Sequence, residues 1–246
     1  YDEEQLAATI RKWQHKGRVP TSGTLEKHTD IKVLIFDIET MPLEGYFWSP
    51  YQKYIQPQQI TQDYPAIICW SAKWLWGDKI YSMRLTPEEA LARNDHRLLE
   101  GLWRLFEEAN VLVAHNLNKF DEKRAKSGFL RYAMTPPSPY QRVDTLVHAR
   151  KNFSLPYYRL DYLAKHVLKV PSVEKVKTEF YWWIECCKGN PEYLLKMDDY
   201  CQHDIRLLED VYLAMLPWIN PHPNLGLFSP LPEPVCTKDR KSTRLN

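Results

Sequence analysis

Ile31-Lys32-Val33-Leu34-Ile35-Phe36-Asp37-Ile38-Glu39-Thr40 decides the reading of this chain. Ile31 to Phe36 is an apolar run broken only by Lys32, the pattern of a strand buried on both faces. Two acids follow at its end. Residues two apart on a strand project to the same face, so Asp37 and Glu39 form a carboxylate pair. With Asp and Glu each near ~6% of residues, about one D-x-E is expected by chance in a chain this long. A solvated strand end is therefore the plain reading. The position just after a buried strand argues for more, because unpaired carboxylates there repel each other and desolvate. A hard divalent cation relieves both costs.

Outward from this strand, Met41 to Pro65 carries four prolines and many aromatics and is expected to be a long irregular connection. Ala66–Trp76 and Lys79–Arg84 are rich in β-formers around Gly77-Asp78, a hairpin signature. Asp95–Ala109 has Leu98, Leu99, Leu102, Leu105 and Phe106 at helical spacing. Val111–Ala114 is a short buried strand, and Asp121–Tyr132 reads as a helix stopped by Pro136, Pro137 and Pro139. Val143–Phe153 reads as strand into helix, and Leu160–Leu168 as helical. Glu192–Leu216 is the longest helical pattern, with Leu194, Met197, Cys201, Ile205, Leu208, Val211 and Met215 in register and Pro217 ending it. The order predicts a mixed α/β sheet of about five strands, the first three antiparallel, with helices packed on it.

Composition limits the alternatives. The chain has 246 residues, 44% hydrophobic and 26% charged, which is ordinary for a globular protein and excludes a fibrous or disordered one. The formal net charge of +2 argues against a histone-like or tail-type nucleic-acid binder, though not against a local basic groove. No apolar run approaches the roughly 18 residues of a membrane span. Five cysteines without a C-x-x-C disfavour a disulfide framework and fit a reducing compartment. Cys186, Cys187, Cys201 and His203 match no common zinc spacing. Only 8 glycines speak against Gly-rich phosphate loops, and 9 tryptophans suggest a large aromatic core or stacking surfaces.

Two further motifs carry chemistry. His115-Asn116-Leu117-Asn118-Lys119-Phe120-Asp121 follows a strand and opens a helix. Taken alone, Asp121 reads first as an N-cap. Tyr200-Cys201-Gln202-His203-Asp204 lies on the long helix, with Tyr200 and Asp204 four apart on one face. Asp204 borders the apolar stripe, where a carboxylate needs a metal or a cationic side chain. Lys119, Lys123, Arg124 and Lys126 cluster beside Asp121, as phosphate contacts or as a solvated basic face.

The ordered set D-x-E, N-x-x-x-F-D and Y-x-x-x-D resembles the DEDD superfamily of 3′–5′ exonucleases, with the ribonuclease H-like fold. Tyrosine four residues before the last aspartate is similar to the branch that includes polymerase proofreading domains. The histidine branch has its histidine five before that aspartate, where this chain has Asp199. The resemblance runs from about Ile31 to Ile219. Smaller matches, at Met197–Tyr212 and Pro217-Trp218-Ile219, look closest to stand-alone exonuclease-like proteins of phages and bacteria. Val143-Asp144-Thr145-Leu146 and Leu160-Asp161-Tyr162-Leu163 resemble the family's middle helices, with Asp144 and Asp161 as caps rather than ligands.

The resemblance implies hydrolysis of phosphodiester bonds to 5′-mononucleotides, with DNA favoured, on single strands with a free 3′ end. Two Mg²⁺ or Mn²⁺ ions about 4 Å apart would be held by Asp37, Glu39, Asp121 and Asp204, and Tyr200 would orient the attacking water. Thr40, Asn116 and Phe120 would line the terminal nucleotide's pocket. A nucleic-acid-binding module without activity, or an endonuclease on the same fold, are the alternatives. Aromatics between Gly45 and Tyr64 are expected to be mostly packing, with base stacking as the other option. A cytoplasmic setting, in a bacterium or a phage-infected cell, is expected. Residues 1–30 read as an extension with a short helix (Leu6, Ile10, Trp13), 31–220 as the exonuclease domain and 221–246 as a proline-rich tail. Asp239–Asn246 matches the translation of a sequencing adapter and is expected to be artefactual. Cys236 would stand where relatives begin a zinc ribbon.

Overall fold

A computed structural model describes residues 31–168 and 178–223. The expected N-terminal helix, Cys236 and the adapter-like end lie outside these residues.

The sheet has five strands in the order β5-β4-β1-β6-β7. β1 (Val33–Thr40) is flanked by β4 (Ile67–Trp74), which runs antiparallel, and by β6 (Val111–Ala114), which runs parallel. β5 (Ile80–Arg84) pairs antiparallel with β4, and β7 (Gln141–Asp144) pairs parallel with β6. The first three sheet strands are thus antiparallel, as the sequence predicts, and the doubly buried strand is the central one. The register of β1 on β4 shifts between Glu39 and Thr40, leaving Ile68 as an extra residue. A bulge of this kind re-aims the side chains beside it.

Two positions differ from expectation. The Met41–Pro65 connection contains a small ribbon, β2 (Glu44–Gly45) with β3 (Ile60–Gln62), which the prolines had masked. In the β4–β5 turn the left-handed residue is Trp76, at φ 67°, rather than Gly77.

Alternation along β1 separates two cores. Leu34, Phe36 and Ile38 face α2 (His96–Glu108) and α3 (Asp121–Arg131), through Leu98, Leu99, Leu102, Phe106 and Phe129. Phe36 meets Phe106 edge-on at 4.9 Å between ring centroids. Val33 and Ile35 enter the opposite core with Val111, Val113 and Val143. A short helix, α1 (Pro87–Leu91), precedes α2. On the second face lie α4 (Thr145–Asn152) and α5 (Leu160–Tyr162), the latter continuing as a π-helical stretch over Leu163–Val167.

α6 (Phe180–Cys187) leads through Gly189, at φ +70°, into α7 (Pro191–Met215). Asn190 caps α7 by accepting from the Glu192 amide at 3.1 Å, and Pro191 occupies its first turn. All seven stripe residues predicted from its periodicity are buried. The stripe is shared between the cores: Leu194, Met197 and Cys201 join the first, and Ile205, Leu208, Val211 and Met215 the second. α7 therefore crosses from one core to the other between Cys201 and Ile205, level with the end of β1.

Candidate active site

Asp37 and Glu39 share the parity of Val33 and Ile35, so both turn toward α7. Asp121 arrives from the start of α3, and Tyr200 and Asp204 from the crossing point of α7. Burial pushes the Asp37 carboxyl well above its usual range, and repulsion from Asp121, Glu39 and Asp204 pushes it further. Glu39 is raised to about 8 by burial, then by Asp204 and Asp121. Four carboxylates from three elements therefore lie within electrostatic range of one another. Burial raises Asp121 to about 7 and Asp204 to about 6.

Asp121 does not cap its helix. Phe120 holds the N-cap position, and both carboxylate oxygens of Asp121 are buried without a hydrogen-bond partner. The amides of Ile38 and of Asp121 itself lie close enough to favour the charged form, but neither completes a hydrogen bond. A buried, unpartnered carboxylate is costly unless something cationic reaches it. Oxygen-only donors of this charge suit Mg²⁺ or Mn²⁺ rather than softer ions. Among the described residues no group of three or more His, Cys, Asp and Glu side chains is already drawn together to hold a metal. The donor set fits such ions in chemistry and in unmet valence, and a bound ion would gather it further.

The other partners of the acids are local. The Tyr200 hydroxyl lies close enough to Asp204 to favour its charged form, which holds the Asp204 carboxyl down against its burial. Burial and the Asp204 charge together push the Tyr200 phenol upward, so it stays protonated. The Cys201 thiol contacts Asp37, 3.5 Å from its carbonyl oxygen and 3.6 Å from Oδ2. Trp183 of α6 lies near Glu39 and favours its charged form. Trp183 and Cys201 escaped the sequence reading. Cys201 sat in the apolar stripe, and nothing in Tyr181-Trp182-Trp183 marks which ring faces the acids.

Asp144 organises the approach to Asp121. Its Oδ1 accepts from the amides of Leu146 and Val147, capping α4, and from the Asn116 amide at 3.1 Å. Its Oδ2 accepts from the Asn118 amide at 3.0 Å. Asp161 sits in the first turn of α5, where Arg159 pairs with it at 2.9 Å, and its charge raises Asp204 slightly. His115 donates from Nε2 to the Tyr158 carbonyl at 2.8 Å and meets Thr145 Oγ1 through Nδ1 at 2.9 Å. Burial lowers its pKa, so the ring is neutral and fully engaged.

Beside Glu39 opens a cleft of about 380 Å³, lined by Thr40, Leu43, Pro65, Arg124, Phe180 and Trp183 among others. Of the expected pocket residues, Thr40 lines it and Asn116 and Phe120 do not. Asn116 adopts φ 79° and shapes the turn before α3, where its carbonyl accepts from the Lys119 and Phe120 amides. Phe120 lies under Arg124, with 5.6 Å from guanidinium to ring centroid. Within the basic cluster Lys126 is committed to Glu122 at 2.6 Å, whereas Arg124 reaches the cleft.

Residues 76–216, more than half of the chain, match the family model of the RNase_H superfamily. The chain belongs to the RNase_H superfamily. The superfamily match contains Asp121, Tyr200 and Asp204 but begins after Asp37 and Glu39. No curated protein matches the chain. Among solved structures, this RNase_H-superfamily chain is similar to the family B DNA polymerase of the hyperthermophilic archaeon Pyrobaculum calidifontis. The TM-score is 0.57 at 18% identity, over 76% of this chain and 25% of the polymerase chain. That likeness is one of fold.

Proposed function

We propose that the protein is a metal-dependent 3′–5′ exonuclease of the tyrosine-type DEDD group, acting on nucleic acid, with DNA favoured. The observation that carries this reading is that both oxygens of buried Asp121 are unpartnered, with Asp37, Glu39 and Asp204 within electrostatic range of it. Superfamily membership and the fold shared with a DNA polymerase support it.

In this reading Asp37, Glu39, Asp121 and Asp204 would hold divalent cations. When bound, such ions lower the pKa of a water and neutralise charge on the leaving oxygen. The chain's own groups do the positioning. Tyr200 lies beside Asp204 with its phenol protonated, and its oxygen would orient the attacking water. Trp183 fixes Glu39 and Cys201 fixes Asp37. The 3′-terminal nucleoside enters the cleft at Thr40, where Arg124 meets its phosphate. Phe120 supports Arg124 from beneath, and Asn116 shapes the turn that delivers Asp121. Water adds to phosphorus and the 3′-oxygen leaves, giving a 5′-mononucleotide and a new 3′-hydroxyl.

We assign this activity to residues 31–220, with 1–30 as an extension and 221–246 as a tail. Among the described residues no helix is long and apolar enough to cross a membrane. A cytoplasmic setting in a bacterium or phage-infected cell belongs to the same reading. Digestion of 3′-labelled and 5′-labelled single strands, with Mg²⁺ and with EDTA, tests it. Stepwise loss from the 3′ end that stops with EDTA is expected. Internal cuts would identify an endonuclease, and binding without cleavage an inactive module.

A further inference from the structure

The β2–β3 ribbon overturns the expectation that its aromatics are packing. Tyr46, Trp48, Tyr51 and Tyr54 all face solvent, with Trp48 100% and Tyr51 94% exposed. Only Tyr64, at the foot of the connection, is a packing residue, its hydroxyl donating to Asp95 at 2.9 Å. Apolar rings of this size left in water ordinarily mark a surface that meets a partner.

The loop is nonetheless built. Gln59 anchors it: its carbonyl accepts from the Tyr46 amide at 2.9 Å, and its side chain accepts from the Gln56 amide at 2.9 Å. Gln52 donates to the Tyr54 carbonyl at 2.7 Å and to Gln59 Oε1 at 2.5 Å. A Cβ on Gly45 would come within 2.5 Å of the Gln59 carbonyl oxygen, so only glycine permits this closure. Arg93 fixes the base by donating to the carbonyls of Pro42 and Tyr64 at 3.1 and 3.0 Å and by pairing with Glu44. Backbone and amide bonds, not burial, therefore hold the rings outward.

Charge and continuity narrow the partner. From Gly45 to Gln62 the only charged side chain is Lys53, so the surface repels no phosphate. The ribbon also rises from the cleft wall, since Leu43 lines the cleft and precedes Glu44. We infer that the ribbon is a stacking platform for single-stranded nucleic acid, on which bases upstream of the terminal nucleotide lie against Trp48 and Tyr51. The rings stack on any base, so the platform selects single strands without selecting sequence. This rests on the exonuclease reading for the direction of the strand.

The test is binding as a function of length, by anisotropy of labelled dT oligonucleotides of two to twelve residues in EDTA, where no hydrolysis occurs. Affinity should rise with length in the wild type. In Trp48→Ala/Tyr51→Ala the longest strand should bind about tenfold or more weakly, the size usual for lost base–aromatic stacks, and the length dependence should flatten. Both rings are exposed, so an unchanged melting temperature will verify folding. Duplex of equal length should bind no better to the wild type than to the variant. Equal length dependence in the two proteins overturns the proposal, as does a variant that loses only self-association. Cleavage of a dinucleotide by the wild type with Mn²⁺ tests the exonuclease reading separately, because so short a substrate does not reach the platform.

Discussion

Tyr200 and Asp204 lie one helical turn apart on α7, with the phenol close enough to the carboxylate to favour its charged form. The two residues should do different work. Tyr200→Phe removes a water-orienting oxygen while leaving every carboxylate in place. Turnover should fall about 10²-fold, the usual size of such an effect. Without the phenol Asp204 titrates above about 6, so Mn²⁺ affinity should be near normal at pH 8 and weaker below pH 7. Asp204→Asn should lose both turnover and affinity at every pH. Calorimetric titration of the two variants with Mn²⁺ distinguishes these roles, and equal affinities at pH 8 would refute them.

The metal-free protein should become less stable as pH rises. Asp204, Asp121 and Glu39 are raised to about 6, 7 and 8, against ordinary unfolded values near 4. Between those limits the folded state binds more protons than the unfolded one, so unfolding free energy falls with increasing pH. The melting temperature in EDTA should therefore decline from about pH 5 to above pH 8. Saturating Mn²⁺ should remove most of that slope, because a bound cation favours the ionised carboxylates. Asp121→Asn should melt higher than wild type in EDTA at pH 8. A flat profile in EDTA would show that the carboxylates are not forced together.

Asp144 ties the turn before α3 to the start of α4 through four backbone amides. Asp144→Ala strips acceptors from the Asn116, Asn118, Leu146 and Val147 amides. A lost cap and lost hydrogen bonds to a buried carboxyl should together cost about 3 kcal/mol. Asp144→Asn should cost less, since one oxygen survives, but it sets an amide against one remaining donor. Chemical denaturation of both variants measures the order, which would be reversed if Asp144 mainly held a cation.

Trp183 should tune Glu39. Trp183→Phe keeps a ring in the cleft and deletes the indole N–H, so Glu39 will titrate above about 8. The acidic limb of the activity profile should move to higher pH, with activity several-fold lower at pH 7 and largely restored at pH 9. A uniform loss at all pH values would mean that Trp183 only packs.

Much of this was legible from periodicity. The central strand, the hairpin and the α7 stripe are written as runs of apolar side chains that no other element satisfies. The acids can be read from the sequence as an ordered candidate set, because their positions are tied to strand and helix ends. The ribbon was not, since its two short strands are held by glutamine side chains and main chain rather than by an apolar pattern. Nor was the left-handed Trp76, where turn geometry overrides residue preference. The sequence pattern does not reveal that Asn116 also shapes a turn through its backbone, at φ 79°. Trp183 and Cys201 could not be distinguished from core residues, because only the tertiary approach of α6 and α7 to β1 brings them to Glu39 and Asp37.

The passage of α7 from one core to the other has a dynamic consequence. Local opening usually proceeds in cooperative blocks, and the most protected block is the one tied to the most neighbours. Here the amides from Cys201 to Ile205 belong to both blocks at once. They should exchange with solvent only through global unfolding, while the ends of α7 exchange sooner. The residues that carry the site's charge are thereby given the slowest clock among the described residues.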